Sequence, residues 1–173
     1  MRHIADIHQS DIFPDSSDSD PAAFSHREAA RAVVLDDTGR VPLLLVGKHN
    51  YHKLPGGGIE EGEDIAAALE REIREEIGAK VQVRGELGAI VEYRDRWEQK
   101  QTTYCFIARQ VGELNEPDFT EEERADGFEM IWVNSLSEAI ELLQKDKPTN
   151  YGGAFMCRRD LLFLQAAQEF IGS

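Results

Sequence analysis

Cysteine is nearly absent: 173 residues hold only Cys105 and Cys157. They lie far apart and lack metal-ligand spacing, which argues against a disulfide framework or a cysteine zinc cage. Both read as small buried hydrophobes in a reducing compartment. Long apolar runs are also missing. The longest, such as VPLLLV at 41–46, fall far short of the roughly 20 residues a membrane helix needs. The amino terminus MRHIADIHQSD offers no apolar core for a signal peptide, so a cytoplasmic protein without membrane contact is expected. Positive charge is scarce, with 19 Lys and Arg against 33 Asp and Glu and a formal net charge of -14. Such a chain repels a polyphosphate backbone, which excludes long nucleic acid as a partner. A small phosphorylated metabolite stays in play, because divalent cations bring anions to acidic proteins.

What is present suits one domain. The stretch PDSSDSDP at 14–21 has no apolar anchor, and residues 1–25 read as a partly mobile lead-in to a single domain over 26–173. REAARAVVLDD and RVPLLLVGKH flank the turn signal Asp37-Thr38-Gly39 and predict a hairpin, with Pro42 at a strand start or edge. KVQVRGELGAIVEYRD and QTTYCFIARQV predict further strands around a charged turn from 94 to 100 that carries Trp97. Residues 113–127 read as a long acidic loop. FEMIWVN predicts a strand, SLSEAIELLQK a helix capped by Ser135 or Ser137, and GAFMCRRDLLFLQAAQEFI a terminal helix with Arg158 and Arg159 on its solvent face. Strands and helices mixed in this order predict an α/β fold, an α/β/α sandwich around a central mixed sheet.

The clearest helix spans 64–77, with Gly78 placed for a left-handed cap. Ile65, Leu69, Ile73 and Ile77 form its buried stripe. At about 100° per residue, Glu72 and Glu76 fall at the margin of that stripe and Glu75 on its flank. Like charges at these spacings destabilise a helix. Either Arg71 and Arg74 balance a solvated face, or a hard divalent cation such as Mg²⁺ or Mn²⁺ sits among the carboxylates. The Pro55-Gly56-Gly57-Gly58 turn ahead of the helix favours the cation, since it lets backbone approach a ligand and leaves carbonyls free.

Gly57, Glu63, Arg71-Glu72, Ile73, Glu75-Glu76 and Gly78, at these spacings, resemble the 23-residue signature of the Nudix hydrolases. Ala79, where the family has a larger aliphatic residue, is the one departure. The resemblance implies a Nudix-like sandwich and a pyrophosphohydrolase that cleaves a nucleoside diphosphate linked to another group, X, by attack of water at phosphorus. It implies that Glu72, Glu75 and Glu76, with the Gly56 carbonyl, bind Mg²⁺ or Mn²⁺. It also implies that Glu63 and Arg71 pair to tie the loop to the helix, Gly57 and Gly78 being the fixed glycines of the motif.

The general base could be Glu75 or Glu76, or one of the loop acids Glu121, Glu122, Glu123 and Asp126, among which Glu123 is favoured. Tyr51, His52 and Lys53 precede the turn, and His52 and Lys53 are candidates for substrate contact. So are Arg94 and Trp97, from the basic and aromatic cluster Arg94, Arg96, Trp97 and Lys100. A nucleoside triphosphate or related nucleotide is the expected substrate. The alternatives are a non-catalytic module on the same fold that senses a nucleotide or metabolite, and an acidic interaction protein without metal. An exposed strand edge or the terminal helix would serve a homodimer.

Overall fold

Strand formation follows the β-branched and aromatic residues, and the sheets they build were seen in a computed structural model that describes residues 1–172. Ser173, the last residue of the expected domain, lies outside the described residues. Five strands make a mixed sheet: β1 (His3–Ile7), β2 (Ser25–Leu35), β5 (Gly56–Gly58), β6 (Lys80–Arg94) and β7 (Gln99–Val111), in the order β1-β6-β7-β2-β5. β6 and β7 form a long antiparallel hairpin, while β2 runs parallel to β7, from Ser25 opposite Gln99 to Leu35 opposite Arg109. A second sheet is antiparallel, with β3 (Val41–Val46) between β4 (Tyr51–Lys53) and β8 (Phe128–Val133).

The helices lie on both faces. α2 (Ile65–Ile77) buries Leu69, Ile73 and Ile77 against Ala30, Ala32 and Leu44. On the other face α4 (Leu136–Lys145) and α5 (Tyr151–Gly172) bury Leu143, Phe155 and Phe163 against Val33, Leu43 and Ile90. Alternate residues of β2 therefore serve different cores, as strand geometry requires. Each buried Leu, Ile or Phe contributes about 1.5–3 kcal/mol. The result is the α/β/α sandwich anticipated from the sequence.

Asp64 caps α2 by accepting from the Ala67 N–H, and Gly78 ends it at φ 63° in the left-handed region. Ser135 is the cap of α4. Pro42 sits opposite Trp132 of β8, where β4, which begins pairing at Leu44, has not yet reached β3. That flank of β3 needs no N–H.

Four sequence expectations are corrected. β2 and β3 are joined by a tight turn in which Asp36 binds Thr38 and Arg40, but they belong to different sheets and do not pair. Their alternation is the same as a hairpin's, and only long-range partners decide between the two. The lead-in contains β1, parallel to β6, and the short helix α1 (Gln9–Ile12). The acidic loop contains the short helix α3 (Glu121–Ala125), opened by a Thr120–Glu123 capping box. Arg159, expected on a solvent face, is fully buried, whereas its neighbour Arg158 is exposed.

Candidate active site

The turn from β4 to β5 is pinned at Leu54. Its N–H donates to Asp160 Oδ2 at 2.8 Å and its carbonyl accepts from Arg31 Nη1 at 2.6 Å. Arg31 and Asp160 are themselves buried. Asp160 Oδ1 also accepts from Arg159 Nε at 2.7 Å, and Arg159 reaches Glu92 at 3.1 Å. Burial pushes the Glu92 carboxyl up, but Arg159 and Arg94 outweigh it and hold the group below its ordinary range. This buried chain fixes the backbone just before Gly56, whose φ of 131° suits glycine and whose Cα packs on the backbone of Arg31.

Gly56 in turn orients the helix acids. Its N–H donates to Glu76 Oε2 at 2.7 Å, and Lys53 Nζ binds Glu76 Oε1 at 2.7 Å. Glu76 is 2% exposed. Burial pushes its carboxyl up, opposed by the Lys53 and Arg31 charges. Glu72 lies against the Cα of Gly57, where a Cβ would collide with its carboxylate, and accepts from Arg71 Nη1 at 2.7 Å. Glu75 is half-exposed, with Arg71 3.6 Å away. Arg71 also forms two parallel bonds of 2.9 Å to Glu63 and one to the Gly58 carbonyl. Its guanidinium holds the Glu63 carboxyl down at about 2.

A cavity of about 760 Å³ opens beside this turn. Lys53 and Arg27 supply cations to it, His49 adds an imidazole, Tyr51, Trp97 and Phe128 supply aromatic rings, and Glu122, Glu123 and Asp126 also line it. Lys53 Nζ lies 4.8 Å from the Phe128 ring centre, so the residue that holds Glu76 also forms the floor of the cavity. Arg27 packs over Gly58.

Oxygen-only donors suit a hard divalent cation. Glu72 and Glu75 fit that role by chemistry. Glu76 fits it once Lys53 and the Gly56 N–H release its oxygens. Among the described residues no three acidic, His or Cys side chains converge as a cage.

Residues 25–151 match the NUDIX domain family. The chain belongs to the Nudix hydrolases. It is 33% identical over 134 residues to the mouse diphosphoinositol polyphosphate phosphohydrolase 3-alpha, 76% of each chain being covered. Its fold is similar to that of a NUDIX hydrolase from Nitrosomonas europaea, with a TM-score of 0.60, 16% identity and coverage of 86% of this chain and 90% of the other. A MutT protein from Methanosarcina mazei Go1 is also similar, with a TM-score of 0.57, 18% identity and coverage of 84% and 96%. Membership makes this protein a pyrophosphohydrolase of the Nudix type, a family that typically works with a divalent metal. No helix among the described residues is long and apolar enough to cross a membrane.

Within this Nudix fold the expected residues separate. Gly56, Lys53 and Glu76 come together, as do Gly57, Glu63, Arg71 and Glu72; Lys53, Trp97 and Glu123 share the cavity. His52 does not join them. Its backbone N–H and its Nδ1 both bind Asp146 at the end of α4, with Nδ1 2.9 Å from Oδ1. Strand alternation puts Tyr51 and Lys53 on one face and His52 on the other, a signal present in the sequence. Arg94 does not line the cavity either: it is 1% exposed and pairs with Glu92 at 2.9 Å. Arg27, His49, Phe128 and Met156 line the cavity without having been anticipated. Nothing in their local sequence marks them, since separate elements carry them there.

Proposed function

We propose that this Nudix enzyme hydrolyses a phosphoanhydride of a nucleoside diphosphate linked to X, a nucleoside triphosphate or related nucleotide, with Mg²⁺ or Mn²⁺. The observation that carries the reading is the continuity between the acidic edge and an aromatic cavity: Lys53 touches Glu76 on one side and Phe128 on the other. Glu72, Glu75 and Glu76, with the Gly56 carbonyl, would hold the cation. When bound, such an ion neutralises the diphosphate and lowers the pKa of the attacking water. The chain's own groups do the rest. Lys53 and Arg27 attract the phosphates, His49 offers a further hydrogen-bonding group, and Trp97 and Tyr51 offer faces for a base. Glu123, half-buried on the cavity wall and anchored by the Thr120 N–H at 2.8 Å, is the general base.

The relatives named for diphosphoinositol polyphosphates suggest a second reading. Against it, the cations Lys53 and Arg27 share the cavity with the acids Glu60, Glu122, Glu123 and Asp126, a poor match for a ligand crowded with phosphates. A panel of nucleotides and a diphosphoinositol polyphosphate, assayed for phosphate release with and without Mg²⁺, separates the two. Nucleotide turnover that vanishes without metal is expected. Binding with no turnover of any compound would make the protein a sensor. Glu75→Gln should lower kcat at least about a hundredfold and weaken Mn²⁺ binding in calorimetry, with the melting temperature nearly unchanged. A rate within a few fold of the parent would remove Glu75 from the site.

A further inference from the structure

The first 24 residues lie outside the span matched to the family, yet they are built against the wall of the substrate cavity. Trp97 occupies the tip of the β6–β7 hairpin, where residues 95–97 form a single 3-10 turn and Glu98 adopts a left-handed conformation. The indole is 49% exposed and lines the cavity. Its far edge rests on Gly152, where an added Cβ would come within 2.6 Å of the ring. Its flank meets Tyr151 edge-on, with ring centres 5.2 Å apart.

Tyr151 is held in place from the amino-terminal segment. Phe13 stacks on it at 5.6 Å with the planes 8° apart, and the Tyr151 hydroxyl donates to Gln9 Oε1 at 2.8 Å. The same hydroxyl accepts from the Arg96 N–H at 3.3 Å, and the Arg96 guanidinium lies 5.2 Å from the Phe13 ring and 4.8 Å from the Tyr151 ring. The same segment also grips the hairpin tip, where Ser19 N–H donates to Asp95; next to it the first residue of β2, Ser25, donates its N–H to the Glu98 carbonyl. Ser10 closes the intervening loop onto Asp18 through its N–H and hydroxyl, at 2.9 and 2.6 Å.

An exposed tryptophan on a hairpin turn would ordinarily sample several rotamers, at an entropic cost to any ligand that orders it. Here ring contacts reach it through Tyr151 from a segment that does not itself line the cavity. We infer that the amino-terminal segment is a specificity element, in which Phe13 and Gln9 are positioning residues that preset Trp97 as the platform for the base. The inference rests on the nucleotide reading above.

The test uses the full chain with Trp132→Phe, so that Trp97 is the sole indole, and follows Trp97 emission during titration with GTP and with inorganic tripolyphosphate, which has no base. Phe13→Ala should weaken GTP binding and raise KM roughly tenfold, the scale of one base–aromatic contact. Tripolyphosphate affinity and kcat should stay within twofold, and Phe13→Tyr should restore the parent values. Gln9→Ala, which leaves every ring in place, should produce a smaller change of the same pattern and serves if Phe13→Ala does not fold. Equal losses for GTP and tripolyphosphate would reduce the segment to a structural prop and overturn the inference. If Trp97→Ala weakens GTP and neither Phe13→Ala nor Gln9→Ala does, the inference fails and the nucleotide reading stands. If GTP leaves Trp97 emission unchanged in the parent while nucleotides are still turned over, the inference falls and the nucleotide reading stands; if no nucleotide is turned over either, both fall.

Discussion

Two ion pairs hold α2 to the glycine turn, and they differ in almost every physical respect. Arg71–Glu63 is the more exposed one, though still partly buried. It has ideal forked geometry with two 2.9 Å bonds, and its side chains are 20% and 15% exposed. Lys53–Glu76 is a single 2.7 Å contact, 8% and 2% exposed. In sequence both are a basic and an acidic residue a modest distance apart. Water beside the first pair screens it and lowers its worth. Removing either member of the second leaves an uncompensated charge in the interior. The contrast extends to titration: Arg71 pulls Glu63 down to about 2, whereas burial pushes Glu76 up. The exposed pair therefore acts as a latch, and the buried pair as a preset charge at the boundary between helix and cavity.

The largest effect should come from breaking the buried pair. Lys53→Met should cost about 3–5 kcal/mol in chemical denaturation, and the double variant Lys53→Met/Glu76→Gln should recover most of it. A loss below about 1 kcal/mol would place Glu76 in water and remove the contrast. Next is Asp160→Asn, which keeps the shape but removes the charge facing Arg159 while Leu54 retains an acceptor. It should cost about 2–3 kcal/mol, and kcat should fall with it, because Leu54 anchors the turn that carries Gly56. Normal kcat at that stability would uncouple the buried network from the site.

The exposed pair should respond mainly to acid. Glu63 has a folded pKa near 2, below its ordinary 4.5, so the unfolded chain binds more protons between those values and stability rises with pH there. Its contribution is complete above about pH 4.5 and lost as pH falls toward 2. Glu63→Gln should flatten that part of the stability curve, lying below the parent at neutral pH by a modest, solvent-screened amount and converging with it toward pH 2. The smallest effect is that of salt: raising ionic strength should narrow the neutral-pH difference between parent and Glu63→Gln, while leaving the loss in Lys53→Met nearly intact.

Legibility followed the range of the forces involved. The α2 stripe, its Gly78 cap, the Ser135 cap and the strand content are local, set by side-chain period and backbone sterics, and they were readable. So was the Glu63–Arg71 pair, through the spacing of its motif. The pairing of β2 with β7 instead of β3, and the seat of β1 beside β6, depend on partners about seventy or more residues away. Arg159 also looks like a surface charge until the fold brings Glu92 of β6 to it from 67 residues away, and that shared carboxylate neutralises Arg94 of the same strand as well.

The sequence by itself determined the family chemistry, because three carboxylates and a glycine turn at fixed helical spacing belong to one short stretch of chain. Only the tertiary structure decided which of those acids is buried against a lysine, which aromatics line the cavity, and that the amino-terminal segment braces its wall. Burial and neighbouring charge set the energy of an ionisable group, and both come from residues that are distant in the chain until it folds.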